Sequence, residues 1–185
     1  MPVTKGEEME LEGIQEASKL MLVSARTAPK SGGIDDIQTL LLTGPEKDAI
    51  ASDMDKIAEE RGIDGFRRDG RNARDSQAVI LVGVRGTRKF GLDCGACGYL
   101  TCSEFEKAEK KTGRDFAGPN CVFKILDLGI ALGSAVKTAM DLNVDNRIMY
   151  RIGVAARRLG YLPESSVIMG IPLSARGKNI YFDRR

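Results

Sequence analysis

Cys94, Cys97, Cys102 and Cys121 are the only cysteines of this chain, and it has no histidine. The first three stand in Asp93-Cys-Gly-Ala-Cys-Gly-Tyr-Leu-Thr-Cys102, so the spacing is C-x2-C-x4-C-x18-C. Thiolates are soft ligands, and a site of four of them suits an iron–sulfur cluster or a structural zinc ion. Structural zinc usually takes paired C-x2-C knuckles. Only one such pair is present here, and the last two cysteines lie far apart. The spacing therefore favours iron–sulfur, with zinc as the alternative. The start, MPVTKGEEMELEG, is acidic and lacks an apolar signal region, so a reducing cytoplasm is expected. Paired disulfides are unfavourable there.

The residues around the cysteines strengthen a metal reading. Ser103-Glu-Phe-Glu106 has the S-x-x-E form of a capping box, which predicts a helix beginning just after Cys102. Asn120 is a good N-cap, which predicts Cys121 at the first position of a long helix. The positive end of a helix favours thiolate over thiol. Gly95 and Gly98 each follow a cysteine and permit sharp turns. Tyr99 and Phe105 are candidates to shield the site, although Phe105 also suits ordinary core packing.

These ligands need a scaffold. A chain of 185 residues, 42% hydrophobic and 29% charged, is expected to form one soluble domain over residues 1–185, with a cluster-binding segment at about 90–125. A net charge of +2 is too small to imply nucleic-acid binding. The arginines at 67, 68, 71, 74, 85 and 88 read as a solvated face. The apolar run 121–140 is interrupted by Lys124, Asp127 and Lys137, so no membrane span is expected. Periodicity predicts helices over 7–26, 45–61, 103–112, 121–142 and 145–159. Strands are expected at 37–43, 78–84 and 166–171, the last stopped by Pro172. Residues 62–76 read as polar and irregular, and 179–183 as a further extended segment. Strands and helices mix without a βαβ rhythm, which predicts an α+β architecture. No triad, no G-x-G-x-x-G and no P-loop is present.

The cysteine string resembles a [4Fe-4S] module found in the B subunit of the Rnf electron-transport complex and in the corrinoid iron–sulfur protein of acetyl-CoA metabolism. There C-G-x-C-G-[YF]-x-x-C and a distant fourth cysteine supply every ligand. The resemblance implies that Cys94, Cys97, Cys102 and Cys121 hold one [4Fe-4S] cluster. The C-P pair that ends many such modules is missing, because Val122 follows Cys121.

A second resemblance is to the nitroreductase family. It rests on Ala25-Arg-Thr-Ala-Pro-Lys-Ser-Gly-Gly33, Thr43-Gly-Pro-Glu46, Asp127-Leu-Gly-Ile-Ala131 and Gly170-Ile-Pro172, in that order. It implies a nitroreductase-like mixed sheet flanked by helices, a homodimer, and FMN at the dimer interface. The four-cysteine loop would be an insert in that scaffold. This chain lacks the family's N-terminal R-x-S-x-R, has Gly33 for its asparagine and has Asp35-Asp36-Ile37 for its Q-P-W. Arg26, Arg176 and Lys178 remain as candidate cations for an FMN phosphate.

Taken together, the chain is identified as a member of a family described as containing a ferredoxin-like domain, found mainly in anaerobes and archaea. The function implied is electron transfer with a partner protein or a flavin, and any enzyme activity would be that of an oxidoreductase. The alternative is a non-catalytic binding protein with a structural four-cysteine metal site.

Overall fold

Residues 78–84 (AVILVGV) are apolar without alternation, a pattern that fits a strand covered on both faces. In the computed structural model, which describes residues 3–182, they form β2 (Ala78–Val84), buried along its whole length. β1 (Ile37–Leu42) pairs with one edge of β2 and β6 (Val167–Ser174) with the other. A short β5 (Asp145–Asn146) closes the far side, giving the order β1-β2-β6-β5 with every pairing antiparallel.

Side chains of β2 alternate between two helical layers, as the strand period requires. Ile80, Val82 and Val84 meet α1 (Gly6–Thr27) and α5 (Val122–Asp141) through Ile14, Met21, Leu128 and Leu132. Val79 and Leu81 meet α2 (Gly44–Arg61), α3 (Asp64–Asp75) and α6 (Tyr150–Arg158) through Ile50, Met54, Phe66 and Ile152. The contact of α6 with β6 depends on glycine. A Cβ on Gly153 would sit 1.7 Å from the Ile168 carbonyl oxygen, and one on Gly170 would sit 2.0 Å from Ile152 Cγ2.

Several local expectations change. Residues 64–75 are helical, not irregular. Phe66, Asp69, Gly70 and Ala73 are buried; Arg67 and Arg74 pair with Asp64 and Asp55 outside, and Arg68 pairs with the buried Asp69. The helix expected from 145 begins at Tyr150, because Asp145 and Asn146 pair with Ser174 and Leu173 instead. Pro172 does not stop β6, which runs on to Ser174. β5 reaches only Leu173 and Ser174, so Pro172 lies beyond that ladder, where its nitrogen is not asked for a bond. The helix expected over 103–112 is α4 (Cys102–Lys107), and the chain then forms a small hairpin of β3 (Lys111–Thr112) and β4 (Ala117–Gly118).

Residues 179–182 form no strand. Tyr181 is buried there, and its hydroxyl lies 2.8 Å from Ser76 Oγ. Asp183 lies outside the described residues. Among the described residues no helix is long and apolar enough to cross a membrane.

Candidate metal centre

The four cysteines lie on an arm that leaves the end of β2 and returns at the start of α5. Its two ends are tied together. The Cys121 amide donates to the Gly86 carbonyl at 2.8 Å, and the Gly86 amide donates to Ser166 Oγ at 3.0 Å. Ser166 Oγ also donates to Asn120 Oδ1 at 2.5 Å. Asn120 therefore pins the returning strand to β6 and does not cap α5. Cys121 itself occupies the N-cap, with Val122 as the first helical residue. This places a buried cysteine at the positive end of a helix of 20 residues, where anionic groups are favoured.

The expected capping box exists two residues earlier than the sequence suggests. Thr101 is the N-cap of α4, and its Oγ1 accepts from the Glu104 amide at 3.1 Å. Glu104 Oε2 accepts in return from the Leu100 amide at 3.1 Å. Glu106 is left free of that role and pairs with Lys89 at 2.6 Å. Cys102 thus opens α4 rather than preceding it. Its amide donates to Asp93 Oδ1 at 2.5 Å, and the Asp93 amide donates to Cys102 Sγ at 3.4 Å. Gly95 and Gly98 have φ of 71° and 88°, a region that suits glycine. The Gly98 amide closes the turn onto the Gly95 carbonyl at 2.9 Å.

These elements bring all four cysteines to one cavity. All are free thiols: Cys94 is exposed, Cys97 and Cys102 are half-buried and Cys121 is buried. The space the cysteines enclose is tight, with a cavity volume of about 10 Å³. The walls are apolar, formed by Phe90, Leu92, Tyr99, Phe105, Val122 and Phe123. Tyr99 meets Phe105 edge-on at 5.9 Å, and Phe90 meets Phe123 at 5.5 Å. Phe105 is both wall and core, at 1% exposure. Among the described residues no three Cys, His, Asp or Glu side chains converge closely enough to hold one metal ion.

Behind the wall lies a charged group that the sequence reading missed. Lys124, fully buried in the first turn of α5, pairs with buried Asp36 at 2.9 Å. Asp36 also receives Arg88 at 3.1 Å, and Lys124 Nζ stands 5.7 Å from the centre of the Phe90 ring. The only signal in the sequence was a lysine inside an apolar run.

The proposed phosphate cations are not assembled into one site within the chain. Arg26 is committed to Asp35 and to the Ile37 carbonyl, beside the start of β1. Arg176 donates to the Asp75 carbonyl, next to the start of β2. Ile37 pairs with Val84, so these points lie at opposite ends of the sheet.

The antiparallel sheet between two helical layers is a nitroreductase-like fold, and it carries a thiol-rich arm. A nitroreductase with bound FMN from Desulfitobacterium hafniense DCB-2 superposes with a TM-score of 0.57 at 13% identity, over 95% of this chain and 92% of that one. A nitroreductase-like family protein from Bacillus cereus superposes with a TM-score of 0.55 at 9% identity, over 100% and 93%. In sequence, a protein from Archaeoglobus fulgidus described as uncharacterized is 52% identical over 173 residues, 94% of this chain and 92% of its own length. The model of the family "Uncharacterized protein containing a ferredoxin domain (DUF2148)" matches residues 117–184. This chain belongs to that family. Of the four cysteines, the matched segment contains only Cys121.

Proposed function

We propose that the arm holds one [4Fe-4S] cluster through Cys94, Cys97, Cys102 and Cys121, and that the protein transfers electrons through it to a flavin or a partner protein. The observation that carries this reading is the convergence of all four cysteines, as free thiols, on one apolar-walled cavity. Tetrahedral zinc, with Zn–S near 2.3 Å, requires sulfurs about 3.8 Å apart. The C-x2-C-x4-C-x18-C spacing offers one knuckle pair where structural zinc usually takes two. A cubane cluster gives each cysteine its own iron and accepts wider spacing. The family's description as containing a ferredoxin domain supports an iron–sulfur cofactor.

When bound, the cluster would supply one-electron redox chemistry. The residues of the arm have definable parts in it. The Asp93 amide directed at Cys102 Sγ belongs to the class of hydrogen bonds that tune cluster potentials. Tyr99, Phe105, Phe90 and Phe123 exclude water from the cysteine floor. Cys94 and Leu100 lie on the exposed rim, the side from which a redox partner can approach. Four cysteine ligands leave no iron open to substrate, which fits electron transfer better than Lewis-acid catalysis. FMN in the D. hafniense fold neighbour makes a flavin a reasonable redox partner on this scaffold.

Protein purified without oxygen should contain about four iron and four sulfide per chain, with broad absorption near ~400 nm. Cys97→Ser and Cys121→Ser should lose that absorption and the [4Fe-4S] EPR signal of the reduced protein. One zinc per chain without sulfide would overturn the cluster.

A further inference from the structure

We propose that the groove between the β3–β4 hairpin and α6 is a binding site for a phosphoryl group. The groove has a volume of about 270 Å³ and is lined by Arg61, Thr112, Arg114, Asp115, Arg157 and Arg158. The proposal turns on which of these charges are already neutralised. Arg61 donates to Asp115 Oδ1 at 2.5 Å and to the Arg114 carbonyl at 3.3 Å. Arg158 is held by both oxygens of Glu60 and by Asp53. Arg157 has only a neutral partner, Thr112 Oγ1, which accepts from Nη2 at 3.2 Å. Its Nη1 is buried with no hydrogen-bond partner among the described residues. Arg114 makes no ion pair of its own among the described residues, and its charge acts on Asp115.

Asp115 is the one carboxylate lining the groove, and both its oxygens are taken. Oδ1 accepts from Arg61 and Oδ2 accepts from the Tyr150 hydroxyl. Among the described residues Arg157 is therefore left with no ion-pair partner, and Arg114 shares the Asp115 charge only at a distance. A buried guanidinium donor without an acceptor is costly, and native structures seldom leave one. The planar fork of arginine suits a tetrahedral oxyanion.

The surroundings indicate what can be attached to the phosphate. A wider groove of about 670 Å³ shares Gly113 with it and is lined by Tyr99, Phe116 and Pro119 beside Glu109 and Lys111. Tyr99 also forms a wall of the cysteine cavity. A ligand anchored by phosphate at Arg157 has an aromatic bed leading toward that cavity, so a phosphate ester carrying a planar ring fits the whole surface. The phosphate site stands on this geometry alone; its meaning as a redox-ligand site rests on the cluster reading.

The test is calorimetric titration of the full chain, purified without oxygen, with inorganic phosphate, FMN and riboflavin, alongside iron and sulfide assays on each sample. Arg157→Gln and Arg114→Gln should each weaken phosphate and FMN binding tenfold or more, while Arg26→Gln leaves both unchanged. FMN binding at least tenfold tighter than both riboflavin and phosphate identifies a phosphate ester as the ligand. FMN no tighter than inorganic phosphate, with the same dependence on arginine, identifies free phosphate and still supports the site. Absence of binding at millimolar phosphate and FMN, or affinities unchanged in both variants, overturns it. If Arg157→Gln fails to fold, the exposed Arg114→Gln carries the test. A sample that binds phosphate but lacks iron and sulfide rejects the cluster and leaves this site standing.

Discussion

β2 and the arm that follows it are continuous in sequence and opposite in construction. Every residue of β2 is buried, and its two faces feed two separate cores. Between residues 87 and 120, by contrast, only Phe105 is buried. The arm cannot repay the entropy of its ordering by hydrophobic burial. Its order rests on short polar ties: the capping box of Thr101 and Glu104, the Asp93–Cys102 pair of bonds, and the closure of Gly86 on Cys121. Of its cysteines Cys94 is exposed and Cys97 and Cys102 are half-buried, so they add little apolar burial. On the cluster reading proposed above, ligation of the cysteines would add stability to the arm.

Through Arg88 and Phe90 the arm reaches the buried Lys124–Asp36 pair of the scaffold, and breaking that pair should have the largest effect on stability. Asp36→Asn leaves the fully buried Lys124 ammonium without its carboxylate. Removing one member of a buried pair costs about 3–5 kcal/mol. Urea unfolding should show that loss as a lower midpoint at unchanged slope. A change below about 1 kcal/mol would mean that the Ile34 carbonyl, 3.4 Å from Nζ, suffices as a partner and that the pair is not the joint.

Thr101→Ala should act on the arm alone. Loss of an N-cap side chain costs about 1 kcal/mol. Because the cap lies on an exposed turn of a short helix, the global midpoint should hold in the metal-free protein. Amide exchange over residues 93–107 should accelerate, and Cys102 should alkylate faster. A fall in the global midpoint comparable to that of Asp36→Asn would erase the distinction between the regions.

Legibility in the sequence followed the same division. β2, α2 and α5 were readable because burial imposes periodicity and continuous apolar runs. The grouping of the cysteines was readable because three of the four are close in sequence. α3 was hidden because four arginines outweigh the two apolar side chains, Phe66 and Ala73, that dock it. The α4 cap was misplaced because S-x-x-E and T-x-x-E overlap, and only the geometry shows that Glu104 reaches back while Glu106 turns to Lys89. The Asp36–Lys124 pair and the unneutralised Arg157 were unreadable. Each depends on which distant charges reach one another, and one-dimensional spacing carries no trace of that.

The smallest expected effect concerns the tether that returns the arm to the scaffold. Tyr150, on α6, donates to Asp115 in the hairpin, and Arg61 holds the other carboxylate oxygen. Burial raises the Asp115 pKa, but the bonds from Tyr150 and Arg61 and the nearby arginine charges outweigh it, leaving the carboxyl below its ordinary value of 3.8. Burial and the Asp115 bond push the Tyr150 phenol from 10.0 up to about 12. The signs follow by linkage. The Asp115 contribution is complete above its unfolded value and is lost as pH falls through the lower folded one. The Tyr150 contribution is complete below 10.0 and is lost as pH rises toward about 12. The tether is whole only between those limits, and partial exposure of the groups keeps its effect small. Tyr150→Phe should therefore lower the melting temperature slightly in the neutral range and make no difference at either extreme. In a phenolate absorbance titration, Asp115→Asn should move the Tyr150 step from about 12 down toward 10.0, with burial holding it partly raised. If Tyr150→Phe melts identically at every pH, Tyr150 does not hold the hairpin, and the return of the arm depends on Ser166 and Asn120 at its base.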